Sequence, residues 1–195
     1  MSECTAIKKN TPERYTLWFK HSGWAVIFLD EDGGFLSIQS DWGDYAYRWS
    51  HHGRESLKHF LIELDKNHDY LAKKLAMGNA SLSRHFCLDG TIKALKKDIV
   101  RRRRSSDLTA QCARTAWSEI TAIQRDASDS YVSFFEEFRS QRSLSLLYDD
   151  LSSVPVSIGV HPMVFTFLKI VWPPFCNFLK LELLVEGSNA TKDDL

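Results

Sequence analysis

The run Trp24–Trp49 reads WAVIFLDEDGGFLSIQSDWGDYAYRW. Glu31-Asp32-Gly33-Gly34 divides it, and an Asp-Gly step between apolar runs is a strong hairpin signal. Trp24–Asp30 is apolar enough for a strand buried on both faces. Phe35–Ser40 alternates, with Phe35, Ser37 and Gln39 facing one way and Leu36 and Ile38 the other. Asp41-Trp42-Gly43-Asp44 supplies a second turn and Tyr45–Trp49 a further strand. Upstream, Arg14–Lys20 sets Tyr15, Leu17 and Phe19 against Thr16 and Trp18, and His21-Ser22-Gly23 closes it. Four strands with short turns predict an antiparallel meander.

Helical spacing follows. Leu57, Phe60, Leu61 and Leu64 share one face of Arg54–Leu64, and Tyr70, Leu71 and Leu75 one face of Asn67–Met77, which Gly78-Asn79 stops. Ser81–Leu88 fits neither period. Ile92, Leu95 and Ile99 mark Asp89–Arg104 as helical. Ser105-Ser106-Asp107 reads as a break with an N-cap. The next helix repeats Leu108, Cys112, Ala116, Ile120 and Ile123, which places Cys112 in a core. Ser130–Arg139 carries Tyr131, Phe134, Phe135 and Phe138 on one stripe. Gln141–Gly159 is polar and serine-rich and reads as a mobile loop with room for a short helix at Leu144–Leu151. Pro162–Trp172 and Phe175–Glu186 read as two apolar helices joined at Pro173-Pro174, because proline suits a helix's first turn. The class is α+β. Residues 1–80 are expected to hold the sheet and its helices, 81–187 a helical portion sharing one core, and 188–195 a flexible tail.

Composition excludes several classes. The chain has 195 residues, 44% hydrophobic and 26% charged, so it is globular rather than disordered. Lys plus Arg equals Asp plus Glu at 25 each, so neither a strongly basic DNA-wrapping protein nor an acidic DNA mimic is implied. Four scattered cysteines form no C-x-x-C pair and read as free thiols in a reducing cytoplasm. The N-terminal MSECTAIKKN lacks the apolar stretch of a signal peptide. Pro162–Leu179 has the length of a membrane span, but the double proline and Lys169, Thr166 and Asn177 favour core helices or a homodimer contact.

Candidate sites are few. Arg101–Arg104 is RRRR, which suits phosphate binding; equally, cations at a helix C-terminus complement its dipole, and four consecutive residues fan around the helix. Helix, break, helix also raises a DNA reader, but that turn has no glycine. His51, His52, His59, His68, His85, Cys87 and His161 lack the paired spacing of a metal site, so neither metal nor cofactor is expected. Cys87 or Cys112 would be the nucleophile of an enzyme; no G-x-S-x-G, Walker or dinucleotide motif occurs, so catalysis is not expected. Asp30, Asp32, Asp41 and Asp44 sit at hairpin turns, where they gather at one sheet end or satisfy local backbone. The aromatic residues of the meander, Trp18, Trp24, Trp42, Tyr45, Tyr47 and Trp49, exceed what four short strands need; they suit base stacking or interface anchoring, or plain cross-strand packing beneath the helices. Trp42, Tyr45, Tyr47, Arg48 and Trp49 form the expected partner-binding surface, since aromatics and arginine anchor interfaces.

SIQSDWGDYAYRW at 37–49, FLIELDKNHDYLAKKL at 60–75 and VWPPFCNFLKLELL at 171–184 together resemble small proteins carried by bacteriophages and prophages. The resemblance brings no catalytic motif and no functional residues. It implies an accessory phage protein acting in the bacterial cytoplasm on a host protein or ribonucleoprotein complex, as an anti-CRISPR inhibitor does. Nucleic acid held on Arg101–Arg104 is the alternative partner.

Overall fold

The computed structural model describes residues 9–20 and 23–190, so His21 and Ser22 of the expected first turn, and residues 191–195 of the expected tail, lie outside the described residues. The strands are β1 (Glu13–Phe19), β2 (Gly23–Asp30), β3 (Phe35–Ser40), β4 (Tyr45–Arg48), β5 (His85–Phe86) and β6 (Ile158–Gly159). The helices are α1 (Leu57–Leu64), α2 (His68–Ala76), α3 (Ala80–Ser83), α4 (Leu88–Arg104), α5 (Ala110–Asp126), α6 (Tyr131–Ser140), α7 (Arg142–Leu147), α8 (Pro162–Ile170) and α9 (Trp172–Ala190). Two compact units result. One takes in the chain to Ser83 and again from Val160, and the other is Arg84–Gly159.

In the first unit β1 to β4 pair antiparallel in sequence order, the expected meander. Ala25, Ile27, Leu29, Leu36, Ile38 and Tyr45 are buried beneath the helices. β2 departs from the expectation of burial on both faces. Its Trp24 is exposed and its Val26 and Phe28 are half-buried, because the packed helices meet only the alternate residues. Glu31, in the β2–β3 turn, accepts from the backbone N–H of Leu57 (2.7 Å) and Lys58 (3.0 Å), and Ser56 caps the same helix through His59 N–H. The hairpin turn thereby satisfies the orphan donors that start α1.

α8 and α9 belong to this core rather than to the intervening helices. Val164, Phe167, Leu168, Val171, Trp172, Phe175, Cys176 and Leu179 are buried with the sheet residues. The expected single core over 81–187 is therefore divided between two clusters. Pro173 and Pro174 fall in the first turn of α9, as expected, and that helix continues to Ala190, into the expected tail. Pro162–Gly187 is long and apolar enough to cross a membrane, and 44% of its apolar window is buried inside the protein.

Gly34 has φ +62°, and a Cβ there would lie 2.2 Å from the carbonyl oxygen of Trp49. Gly34→Ala is expected to cost about 1–3 kcal/mol from backbone conformation alone, and more from the collision. Urea denaturation followed by circular dichroism measures it.

The second unit is closed by β5 and β6, which pair antiparallel, His85 opposite Gly159, so the segment enters and leaves side by side. Its core is Ile92, Leu95 and Ile99 of α4, Ala116, Ile120 and Ile123 of α5, and the three buried phenylalanines of α6. Gln141–Gly159 holds a short helix, as expected, though it starts at Arg142 rather than Leu144, and is ordered rather than a mobile loop. It forms α7, a 3-10 turn at Leu151–Ser153 and β6, and buries Leu144, Tyr148 and Val154. Glu119 accepts from Ser143 and Leu144 N–H (3.1 and 2.9 Å) and so starts α7, a long-range cap with no local sequence signal. Thr109, rather than a residue of Ser105–Asp107, caps α5. Cys112 is exposed rather than core, because in the first turn of α5 it lines an open groove with Leu108, Leu146 and Leu147.

Candidate functional site

The expected partner surface points largely inward. Tyr45 is 3% exposed and Trp49 5%, and neither can anchor a partner without unfolding. Tyr45 lies against Phe167 at 5.1 Å, and its hydroxyl donates to the Trp42 carbonyl. Burial chiefly, with Asp44 nearby, pushes that hydroxyl up to about 12. Trp49 stacks edge-on to Tyr47 (4.7 Å) and Phe60 (5.5 Å) and donates its indole N–H to Tyr70. Tyr47, half-buried, accepts from Lys74 at 2.9 Å. Trp42, half-buried, packs edge-on to Phe19. Only Arg48 of the five stands fully on the outside, where its Nε donates to the Gly33 carbonyl at 3.0 Å. Strand parity explains this: with Leu36 and Ile38 facing in, register partners Tyr47 and Tyr45 must face in too.

The same parity creates another surface. Residues opposite the packed face form four cross-strand rows: Trp18–Trp24; Thr16–Val26–Gln39; Arg14–Phe28–Ser37–Ala46; and Asp30–Phe35–Arg48. Trp18 is 79% exposed, Trp24 36% and Phe35 39%. From the first row to the last the face runs about 20 Å, and four strands span about 14 Å. That is about 300 Å², enough for the apolar centre of an interface that buries about 800 Å² per partner. Its charges nearly balance, Arg14 and Arg48 against Asp30, whose carboxylate accepts from Gly33 N–H. Cross-strand tryptophans on a rigid sheet bring a large apolar area at little entropic cost, the usual composition of a hot spot. Sequence reading placed Trp18 off the Tyr15 face but weighed the aromatics of β4 more heavily.

The other candidates separate. The turn aspartates do not gather, because successive turns of a meander lie at opposite sheet ends. Asp30 binds Gly33 N–H at one end and Asp41 binds Trp24 N–H at the other. Among the described residues no group of three His, Cys, Asp or Glu could hold a metal. Cys87 caps α4, its sulfur accepting from Gly90 N–H at 3.3 Å. His161 caps α8, and Asp129 lies 3.6 Å from His85. Burial chiefly pushes the Cys176 thiol up to about 12. On the C-terminal helices Phe178, Leu181 and Leu184 remain exposed.

The arginine run divides in two. Arg101 and Arg102 both hold Asp98, Arg102 Nε at 2.7 Å, and Tyr148 donates to the same carboxylate at 2.7 Å. The Arg102 guanidinium lies 4.9 Å over the Tyr148 ring. Burial works against the Asp98 charge, but Arg101, Tyr148 and Arg102 outweigh it and hold the carboxyl below its usual range. A depressed carboxyl contributes stability above its unfolded value near 3.8, lost as pH falls through the folded one. Urea denaturation from pH 6 to pH 2 should show a larger acid loss in the wild type than in Asp98→Asn, the variant being about 1.5–3 kcal/mol weaker at pH 6. Arg103 and Arg104 make no ion pair among the described residues.

A protein-family model, Phage_phiTE_072, described as a phage family, matches residues 6–179. No curated protein and no solved structure matches the chain.

Proposed function

The chain belongs to this phage family, and from that premise and the open sheet face we propose a phage-encoded, non-enzymatic protein that binds and inhibits a host defence component, as anti-CRISPR proteins do. The observation that carries the reading is Trp18, 79% exposed and paired across strands with Trp24 on a face that unit's helices leave uncovered. The mechanism is occlusion in the host cytoplasm. The two indoles and Phe35 fill apolar hollows on a host protein or ribonucleoprotein, while Arg14, Arg48 and Asp30 fix the orientation. The near-neutral charge of the face favours a protein partner, since a phosphate chain draws uncompensated cations. No cofactor or metal enters this mechanism.

The test is plating efficiency. In a host whose CRISPR system restricts a targeted phage, expression of the wild-type chain should restore plaques, and Trp18→Ala/Phe35→Ala should not. No rescue by the wild type across hosts with active defence systems overturns the function. Full rescue by the folded double variant overturns the face.

A further inference from the structure

The second unit carries a surface that this function does not use. A groove of about 350 Å³ runs between α4 and α5. Val100, Ala113, Trp117 and the side chains of Arg103, Arg104 and Arg114 line it almost wholly with apolar surface, so the arginines give it mainly their aliphatic stems. The three arginines are exposed and make no ion pair among the described residues. Their placement is not accounted for by the end of α4, because Arg101 and Arg102 already hold Asp98 there. The tight turn from Ser105 to Thr109 brings Arg114 of α5 beside them. Asp107, the acid of that turn, accepts from the Ser105 hydroxyl at 2.5 Å. Three like charges around one groove repel each other, and an anionic occupant relieves that repulsion.

Trp117 gives the occupant a second property. Its ring is 42% exposed and lines the groove. Lys96 Nζ lies 5.5 Å from the ring centroid and donates to Gln124 at 2.9 Å, so that ammonium is tied to α5 beside the ring. An exposed indole in a groove that three arginines border matches a flat base that carries phosphates. We propose that the groove between α4 and α5 binds single-stranded nucleic acid, with an unstacked base on Trp117 and adjoining phosphates on Arg103, Arg104 and Arg114. A duplex hides its base faces from an indole. A free nucleotide leaves three arginines spread over two helices with one phosphate group to share, whereas a strand brings a phosphate for each. The inference stands independently of the sheet face, which lies in the other unit.

Fluorescence anisotropy of a labelled single-stranded oligonucleotide, as DNA and as RNA, tests it on the full chain. Binding at low salt should weaken as salt rises with a log–log slope of about −2, three phosphates contributing about 0.7 each. Trp117→Ala should weaken binding by about tenfold. Arg103→Glu/Arg104→Glu/Arg114→Glu should abolish it, and the same three changed to Gln should do so nearly as well should charge reversal disturb the helix pair. Arg101→Ala should stay within about twofold, because that side chain serves Asp98. Absence of binding to both strands at low salt overturns the proposal, as does a duplex bound equally well or binding that survives the triple variants. Polyglutamate bound with the same dependence on Trp117 and the three arginines overturns it in favour of an acidic protein.

Discussion

Trp172→Ala should cost the sheet-bearing unit about 3–5 kcal/mol, while Trp18→Ala, the same chemical change, should cost less than about 0.5. Trp172 opens α9 with no exposed surface, edge-on to Phe175 at 5.6 Å and inside the cluster that joins β2, β3, α1, α2, α8 and α9. Removing an indole there leaves a cavity that surrounding side chains fill only in part. Total stabilities are about 5–15 kcal/mol, so the loss is a large share of the whole. The indole N–H has no acceptor among the described residues, which adds a cost to the wild type. Trp172→Phe should therefore be much milder than Trp172→Ala. Urea denaturation read by circular dichroism separates the variants. A shift under about 1 kcal/mol for Trp172→Ala would contradict the packing described.

Lys58→Ala should cost about 2–3 kcal/mol near neutral pH, and the deficit should shrink on acidification. The Lys58 side chain is 6% exposed, with its ammonium 2.9 Å from Glu13, 3.2 Å from Glu182 and 3.7 Å from Glu186. Tyr15 lies between two of these acids, its hydroxyl contacting Glu13 and standing 3.0 Å from Glu182. Without the ammonium the carboxylates face one another across a half-buried gap. Solvent at Glu13 and Glu186 screens part of that repulsion, which keeps the cost below the full penalty of a broken buried pair. In the wild type, burial opposes ionisation of Glu13, yet Tyr15 and Lys58 hold its carboxyl below the usual 4.5. That stability is present above the usual value and lost as pH falls through the folded one. Burial likewise opposes the Lys58 charge, and Glu13 and Glu182 raise its value above 10.5. That stability is complete below 10.5 and lost as pH rises through the folded value. In Lys58→Ala the acids repel, so protonation relieves the fold instead of weakening it. Denaturation midpoints at pH 4 and pH 7 should therefore lie closer to the wild type's at pH 4. A deficit that grows on acidification contradicts the network.

The meander was legible because three local signals agree at each turn: Gly33-Gly34 and Gly43 at the bends, alternating apolar residues between them, and register that keeps Ile27, Leu36 and Ile38 on one face. α1, α2, α4, α5 and α6 were legible from spacing, whereas α3 and β5 fall almost wholly in Ser81–Leu88, which fits neither period. Contacts distant in sequence were not. Nothing local to Pro162–Leu179 says which apolar face those helices cover, so their return to the sheet was unreadable. Gln141–Gly159 looked like a loop because its order comes from Glu119 and from the pairing of β5 with β6. The site failed for a related reason. Tyr45–Trp49 is the densest aromatic stretch, and density in sequence is blind to which face the helices take. Trp18 and Trp24 are six residues apart along the chain and become a pair only through the register of β1 on β2.

The most direct measurement is the affinity of the purified chain for the host defence complex that it is proposed to inhibit, compared with Trp18→Ala/Trp24→Ala under the same conditions. Two hot-spot indoles at about 2 kcal/mol or more each correspond to a loss of about 700-fold or more, with circular dichroism unchanged. An affinity held within a few-fold by the folded double variant would contradict binding through the open face of the sheet.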